Sequence, residues 1–180
     1  MSYHTAFEYH GVANQVFYEL HFTSQKRLYD FSYDGIQYKC LPSRGSVGIV
    51  ENPAGVRITT PERTVIDSIA SFEKIGGLEE LLQCMLLIPC LSAEKLLDAL
   101  DVYRSGKLFQ ITGYLLEAFQ DNFHLPDTFF SICEKRSSNS KAYFSRDHKD
   151  CILHKRWKLY APVGLSGLLN KGVPASLLSQ

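Results

Sequence analysis

Val56-Arg57-Ile58-Thr59-Thr60-Pro61-Glu62-Arg63-Thr64-Val65-Ile66-Asp67-Ser68-Ile69 carries β-branched residues straight into a set of helix-start signals. The stretch reads as a strand entering a helix. Thr60 suits the N-cap, where its hydroxyl accepts from a first-turn amide. Pro61 suits the first helical position, where its missing N–H costs nothing, and Glu62 puts a negative charge at the positive helix end. Beyond the boundary, Val65, Ile66, Ile69, Ala70 and Phe72 recur at helical spacing and make one apolar face, which belongs in the core.

Glu62 and Asp67 invite a reading as paired catalytic carboxylates. Five residues at roughly 100° each leave them about 140° apart around the helix, so they do not converge. Arg63 and Asp67, four apart, do share a face. The spacing predicts a structural ion pair, contributing a few tenths of a kcal/mol on an exposed surface. No nucleophile or metal ligand stands beside them, so no catalytic residue is assigned here.

Working outward, Ser2 is placed to cap a short helix over 3–10, and Gly11 suits the left-handed position that ends it. Val16, Tyr18, Leu20 and Phe22 alternate as in a strand. Asp34-Gly35, set between Leu28–Tyr33 and Ile36–Leu41, predicts a tight hairpin because both turn residues tolerate positive φ. A loop over 42–48 leads to a short strand at Val47–Val50. After the central helix, Gly76-Gly77 breaks the pattern, and Leu78, Leu81, Leu82, Met85 and Leu86 restart it. Ser92 caps a helix carrying Leu96, Leu97 and Leu100. Ser105 caps another carrying Leu108, Ile111, Leu115, Leu116, Ala118 and Phe119. Pro126-Asp127 starts either a helix or a strand through Phe129, Phe130 and Ile132. Ala142–Phe144 and the longer run Ile152–Tyr160 read as a further hairpin or long strand pair. The expected architecture is α+β, a small mainly antiparallel sheet with a helical layer packed on it. One domain over 1–162 is expected, followed by a loosely docked tail over 163–180.

Composition narrows the function classes. The 180 residues are 45% apolar, yet no run approaches the ~20 apolar residues of a membrane helix. The first residues lack the basic-then-apolar order of a signal peptide, so a cytoplasmic protein is expected. Five cysteines without any C-x-x-C argue against a disulfide framework or zinc knuckle. His148-x-x-Cys151-x-x-His154 has a metal-like spacing, but on a strand the cysteine faces away from both histidines, and neither metal nor cofactor is expected. Asp34 with Gln37 and Lys39 faintly suggests a nuclease set, although the hairpin turn already accounts for Asp34. Gly45-x-x-Gly48 and Gly164-x-x-Gly167 lack the context of a phosphate loop.

Net charge is zero, but residues 135–158 hold eight Lys or Arg against Asp147 and Asp150. Tyr143, Phe144 and Trp157 interleave with these charges, a composition that a solvated strand face commonly shows and that also suits an acidic partner protein or a nucleic acid. Lys141, Arg146, Arg156, Trp157 and Lys158 are the candidate partner-binding residues.

The central stretch with the following Gly77-Leu78-Glu79-Glu80-Leu81-Leu82 resembles the C-terminal domain of AbiE-type antitoxins, from type IV toxin–antitoxin systems. Met1–Gly11 resembles that domain's opening helix, and Trp157-Lys158-Leu159-Tyr160-Ala161-Pro162 its closing strand. The resemblance implies an antitoxin, not an enzyme, that counteracts a nucleotidyltransferase-like toxin, in phage resistance and with transcriptional autoregulation. The residues carrying it structurally are Thr60, Pro61, Glu62, Arg63 and Asp67. Family members usually place a winged-helix DNA-binding domain before this one, whereas here Met1 nearly coincides with the opening helix. Direct operator binding is therefore not expected. Two other classes compete with the antitoxin, a nuclease-like enzyme and a nucleic-acid-binding module built on 135–158.

Overall fold

Capping residues and turn glycines set most element boundaries in the computed structural model, which describes residues 1–26, 28–145, 151–162 and 165. The α+β class holds, with seven helices and small, mostly antiparallel sheets among the described residues. The chain divides into two compact units, Met1–Arg104 and Ser105–Gln180, where the sequence suggests one domain over 1–162. The expected small sheet is met as three separate ones.

In the first unit, helix α1 (Tyr3–Tyr9) ends near Gly11, which takes φ +71°. Ser2 does not cap it as expected. Its hydroxyl is buried without a hydrogen bond, because the backbone there is drawn out to bridge neighbouring strands. The Ser2 amide donates to the His21 carbonyl at 3.1 Å, and the Thr59 amide to the Met1 carbonyl at 3.2 Å. Strand β1 (Glu19–Ser24) is followed by β2 (Phe31–Tyr33) and β3 (Ile36–Pro42). The β2–β3 hairpin forms as read from Asp34-Gly35, both at positive φ. β1, however, joins the far side of β3 in parallel, giving the order β1-β3-β2.

Strand β4 (Ile49–Glu51) pairs antiparallel with β5 (Arg57–Thr59), which feeds helix α2 (Pro61–Ala70). Thr60 caps that helix, its Oγ1 accepting from the Arg63 amide at 3.4 Å. Val65, Ile66 and Ile69 are buried, so the apolar face read from the sequence is a core face. Past Gly76 in the left-handed region comes α3 (Leu78–Leu87), and Ser92 caps α4 (Ala93–Asp101). Helix α2 packs on α1, α3 and α4.

The second unit opens with α5 (Gly106–Glu117), capped by Ser105, then the single turn α6 (Gln120–Phe123) and α7 (Asp127–Arg136). α7 settles the alternative left open at Pro126-Asp127 in favour of a helix. Phe129, Phe130 and Cys133 fall on its buried face. Strand β6 (Ala142–Tyr143) runs parallel to β8 (Leu159–Pro162), and β7 (Cys151–His154) runs antiparallel to it. The run Ile152–Tyr160 is thus not one long strand. It folds back through a turn at 155–158, where Lys158 takes φ +48°. The tail expected over 163–180 lies outside the described residues except for Leu165.

Candidate functional site

The pair Arg63–Asp67 is not the exposed surface bridge that its spacing suggests. Both side chains are buried, and Arg63 Nε donates to Asp67 Oδ1 at 2.7 Å. The remaining guanidinium nitrogens donate to the carbonyls of Val47 at 2.7 Å and Arg44 at 3.1 Å. Tyr103 donates its hydroxyl to the same Asp67 oxygen at 2.6 Å, and the Arg44 guanidinium lies 4.8 Å above the Tyr103 ring. Burial pushes the Asp67 carboxyl above its ordinary range, against the pull of Arg63 and Tyr103. Burial and the Asp67 charge push the Tyr103 phenol up as well. Arg63 thereby ties the loop over 44–47 to α2 through the Val47 and Arg44 carbonyls. Gly48 permits the close approach, since a Cβ there would lie 2.6 Å from Arg63 Cβ. Glu62, on another side of α2, is also buried and accepts from the Ser92 amide at 3.2 Å. Thr60, Glu62, Arg63 and Asp67 thus each make a hydrogen bond within the fold, and Pro61 opens α2.

A second buried group in this unit lies around His4. Its ring nitrogens sit 3.5 Å from Glu8 Oε1 and from Glu80 Oε1, and its ring packs 3.9 Å from that of Phe17. Glu80 also accepts from the Asn14 and Gln15 amides and from Cys84 Sγ. Burial holds His4 below the usual histidine range despite its two acidic neighbours, and lifts the Cys84 thiol to about 12.

A charged surface open to a partner is in the second unit. A shallow depression of about 460 Å³ is lined by Ser131, Glu134, Lys135, Asn139, Arg156 and Lys158. The last turn of α7 contributes Lys135, and the turn between β7 and β8 contributes Arg156 and Lys158. Among the described residues of 135–158, a helix end and a strand turn thus come together at this depression. Of the partner-binding candidates, Lys141 is exposed beside β6 and Arg146 lies outside the described residues. Arg156 is already engaged, its Nη1 with Glu117 Oε1 and its Nε with Glu134 Oε2 at 3.4 Å. Lys158 Nζ donates to Asn139 Oδ1 at 3.3 Å.

Trp157 is the plain correction. It is 1% exposed, donates its indole N–H to Glu117 Oε2 at 2.7 Å and packs near Phe130, so it anchors the core and cannot meet a partner on this surface. Its neighbour Gly113 explains why it fits, since a Cβ at that position would run into the six-membered ring. Sequence reasoning missed Glu117, which holds both Arg156 and Trp157. It also missed Gln110, whose amide donates to the carbonyls of Ser138, Ser140 and Lys158. Both stand on α5, far along the chain from what they hold, and no local pattern marks them. Lys135 is exposed in this depression, and Lys155, also exposed, precedes Arg156 in the turn between β7 and β8.

The weaker motifs dissolve into structure. Asp34 serves its turn, and Lys39 Nζ is taken up by Glu19 Oε1 at 2.7 Å. His148 lies outside the described residues, while His154 Nε2 sits 3.1 Å from the Pro162 carbonyl. Among the described residues no group of three or more His, Cys, Asp or Glu is arranged to hold a metal ion, and no helix is long and apolar enough to cross a membrane.

No protein-family model and no curated protein matches the chain. Its fold is similar to that of the RV2827C protein from Mycobacterium tuberculosis, whose crystal structure superimposes with a TM-score of 0.64 at 15% sequence identity. The alignment covers 94% of this chain and 64% of that protein, so the chain spans just under two thirds of its length, and at this identity the likeness is one of fold.

Proposed function

We propose that the chain is an antitoxin-like protein of the AbiE type, acting in the cytoplasm to counteract a nucleotidyltransferase-like toxin by binding and not by catalysis. The observation that carries the reading is where the three resembling stretches fall. Val56–Ile69 is β5 with α2, Met1–Gly11 is α1 with its cap, and Trp157–Pro162 is the buried tryptophan with β8. The likeness therefore concerns residues that build the cores of both units, which a short surface motif shared by chance would not do. A protein partner is the proposed ligand of the open depression, met by Lys135 and Lys158 within it and by the exposed Lys141 and Lys155 of the same basic segment, because an excess of one sign speeds and orients encounter with an acidic face. Operator recognition is left out of the proposal, as a chain of zero net charge has no general attraction for DNA.

The test is growth rescue. Cells arrested by a nucleotidyltransferase-like toxin of the AbiE type should recover when the chain is co-expressed, and failure to recover with soluble chain present would refute the proposal. A nucleic-acid backbone is the second reading, favoured by the same exposed lysines. Salt separates the two, since binding through several phosphate contacts falls by orders of magnitude between ~50 and ~200 mM salt.

A further inference from the structure

The sheet β1-β3-β2 is built with its faces reversed. Along each strand alternate residues lie on opposite faces, and the register sorts most of them by polarity. Glu19, His21 and Thr23 of β1 share a face with Gln37, Lys39 and Leu41 of β3 and Ser32 of β2, while Ser24, Cys40 and Pro42 fall on the other. That polar face is the one turned to α1, where His21 is buried and its ring approaches Tyr3 at 6.2 Å. The opposite face carries Leu20, Phe22, Phe31, Tyr33, Ile36 and Tyr38 and is turned to water. Tyr18 and Tyr29, just ahead of β1 and β2, continue the same alternation. No Lys, Arg, Asp or Glu occurs in this outward set.

The exposures are large: Tyr18 81%, Tyr29 81%, Tyr33 71%, Phe31 49% and Ile36 38%. At roughly 200 Å² of surface per aromatic ring, the first four alone expose about 560 Å². That is already near the upper end of about 300–600 Å² for the largest apolar patch on a monomer. With Ile36 and the half-buried Leu20, Phe22 and Tyr38 the face approaches the ~800 Å² per partner of a standard stable interface. The rings are also pre-arranged, Phe31 stacking on Tyr38 at 4.7 Å with planes 3° apart, so little side-chain entropy remains to be lost on docking. Strand β2 is an edge strand, exposed throughout and without the Lys or Pro that blunts such edges.

We infer that this face is a homodimer interface, on which the three-stranded sheet of a second copy packs face to face across a two-fold axis. An isologous contact must suit itself, so any charge near the axis meets its own like. Among the described residues the strands of this face carry no charge outward, which meets that condition and offers nothing to a partner recognised by opposite charge. A single-stranded nucleic acid would also stack on exposed rings, but it needs cations along its backbone. Among the described residues the strands carry none on this face, and Met1–Arg104 holds nine Lys and Arg against thirteen Asp and Glu. Two such sheets stacked about 10 Å apart would form an aromatic layer with the geometry of a β-sandwich core.

The test is the mass of the full chain in solution by sedimentation or light scattering, with circular dichroism as the folding control. At about 100 µM, some two orders of magnitude above a micromolar dissociation constant, the wild type should run as a dimer. Replacing Tyr33→Lys puts like charges across the axis at a side chain largely in water, and should leave a folded monomer. Tyr29→Ser with Tyr33→Ser is the milder variant and should raise the dimer dissociation constant at least tenfold. A wild type that stays monomeric at this concentration overturns the inference, whether or not the face then takes an oligonucleotide or another protein. So does a dimer that persists unchanged in both folded variants, since its interface would lie elsewhere.

Discussion

Removing the Asp67 carboxylate with Asp67→Ala should cost about 3–5 kcal/mol, because it strands the Arg63 guanidinium inside the molecule with one partner fewer. Tyr103→Phe should cost about 1.5–3 kcal/mol through loss of a hydrogen bond to a charged group. Urea denaturation checks both, and losses below about 0.5 kcal/mol would return the pair to the exposed surface that its spacing alone suggests. What the sequence showed was the four-residue spacing. What it hid was the burial, since the groups enclosing the pair come from Val47, Arg44 and Tyr103, which lie 16, 19 and 36 residues from the side chains they meet. His4 and His21 give the pH dependence. Burial lowers both below the usual value, so the unfolded chain takes up protons as pH falls through about 6.5 while the folded rings resist. Stability contributed by these rings is present above about pH 6.5 and lost as pH falls towards their lowered values. His4→Gln should flatten part of that loss in denaturation midpoints between about pH 8 and 5. A gain over the same fall that His4→Gln abolishes would mean that the attraction of Glu8 and Glu80 outweighs burial, since the raised Asp67 carboxyl gives a gain that His4→Gln leaves in place.

At the scale of elements, α2 should answer to its core face and its cap separately. Ile66→Ala should cost about 2–5 kcal/mol and Thr60→Ala about 1 kcal/mol, and an Ile66→Ala variant denaturing like wild type would take the helix out of the core. On α5 two effects compete at Gly113. Alanine gains about 1 kcal/mol of helix propensity but forces its methyl into the ring of Trp157, and overpacking of this kind costs about 1–3 kcal/mol. The ring has no solvent to retreat into, so destabilisation should win. Trp157 is the chain's single tryptophan, and a red-shifted emission in Gly113→Ala would report its displacement directly. Local chemistry made the caps at Thr60, Ser92 and Ser105 and the Asp34-Gly35 turn readable in advance. The parallel pairings of β1 with β3 and β6 with β8 were not readable, because alternation says which face a residue takes and nothing about which strand lies beside it. The same limit hid the turn at 155–158, where Lys158 adopts positive φ without being glycine.

For the whole molecule, zero net charge conceals a division between the units. Met1–Arg104 holds four more acids than bases, and Ser105–Gln180 holds ten Lys and Arg against six Asp and Glu. The clustering was visible in composition. Which cations are free to act was not, since Arg156 is held by Glu117 and Glu134 and Trp157 lies in the core beside it. Exposed Lys135, Lys141 and Lys155 have the better claim to a partner, and exposed charges contribute little to stability. The decisive measurement is therefore toxin rescue by the triple variant Lys135→Glu, Lys141→Glu and Lys155→Glu, paired with its thermal melt. Loss of rescue by a variant that melts like wild type is the predicted result, and full rescue by that folded variant would contradict the assignment of this surface to the toxin.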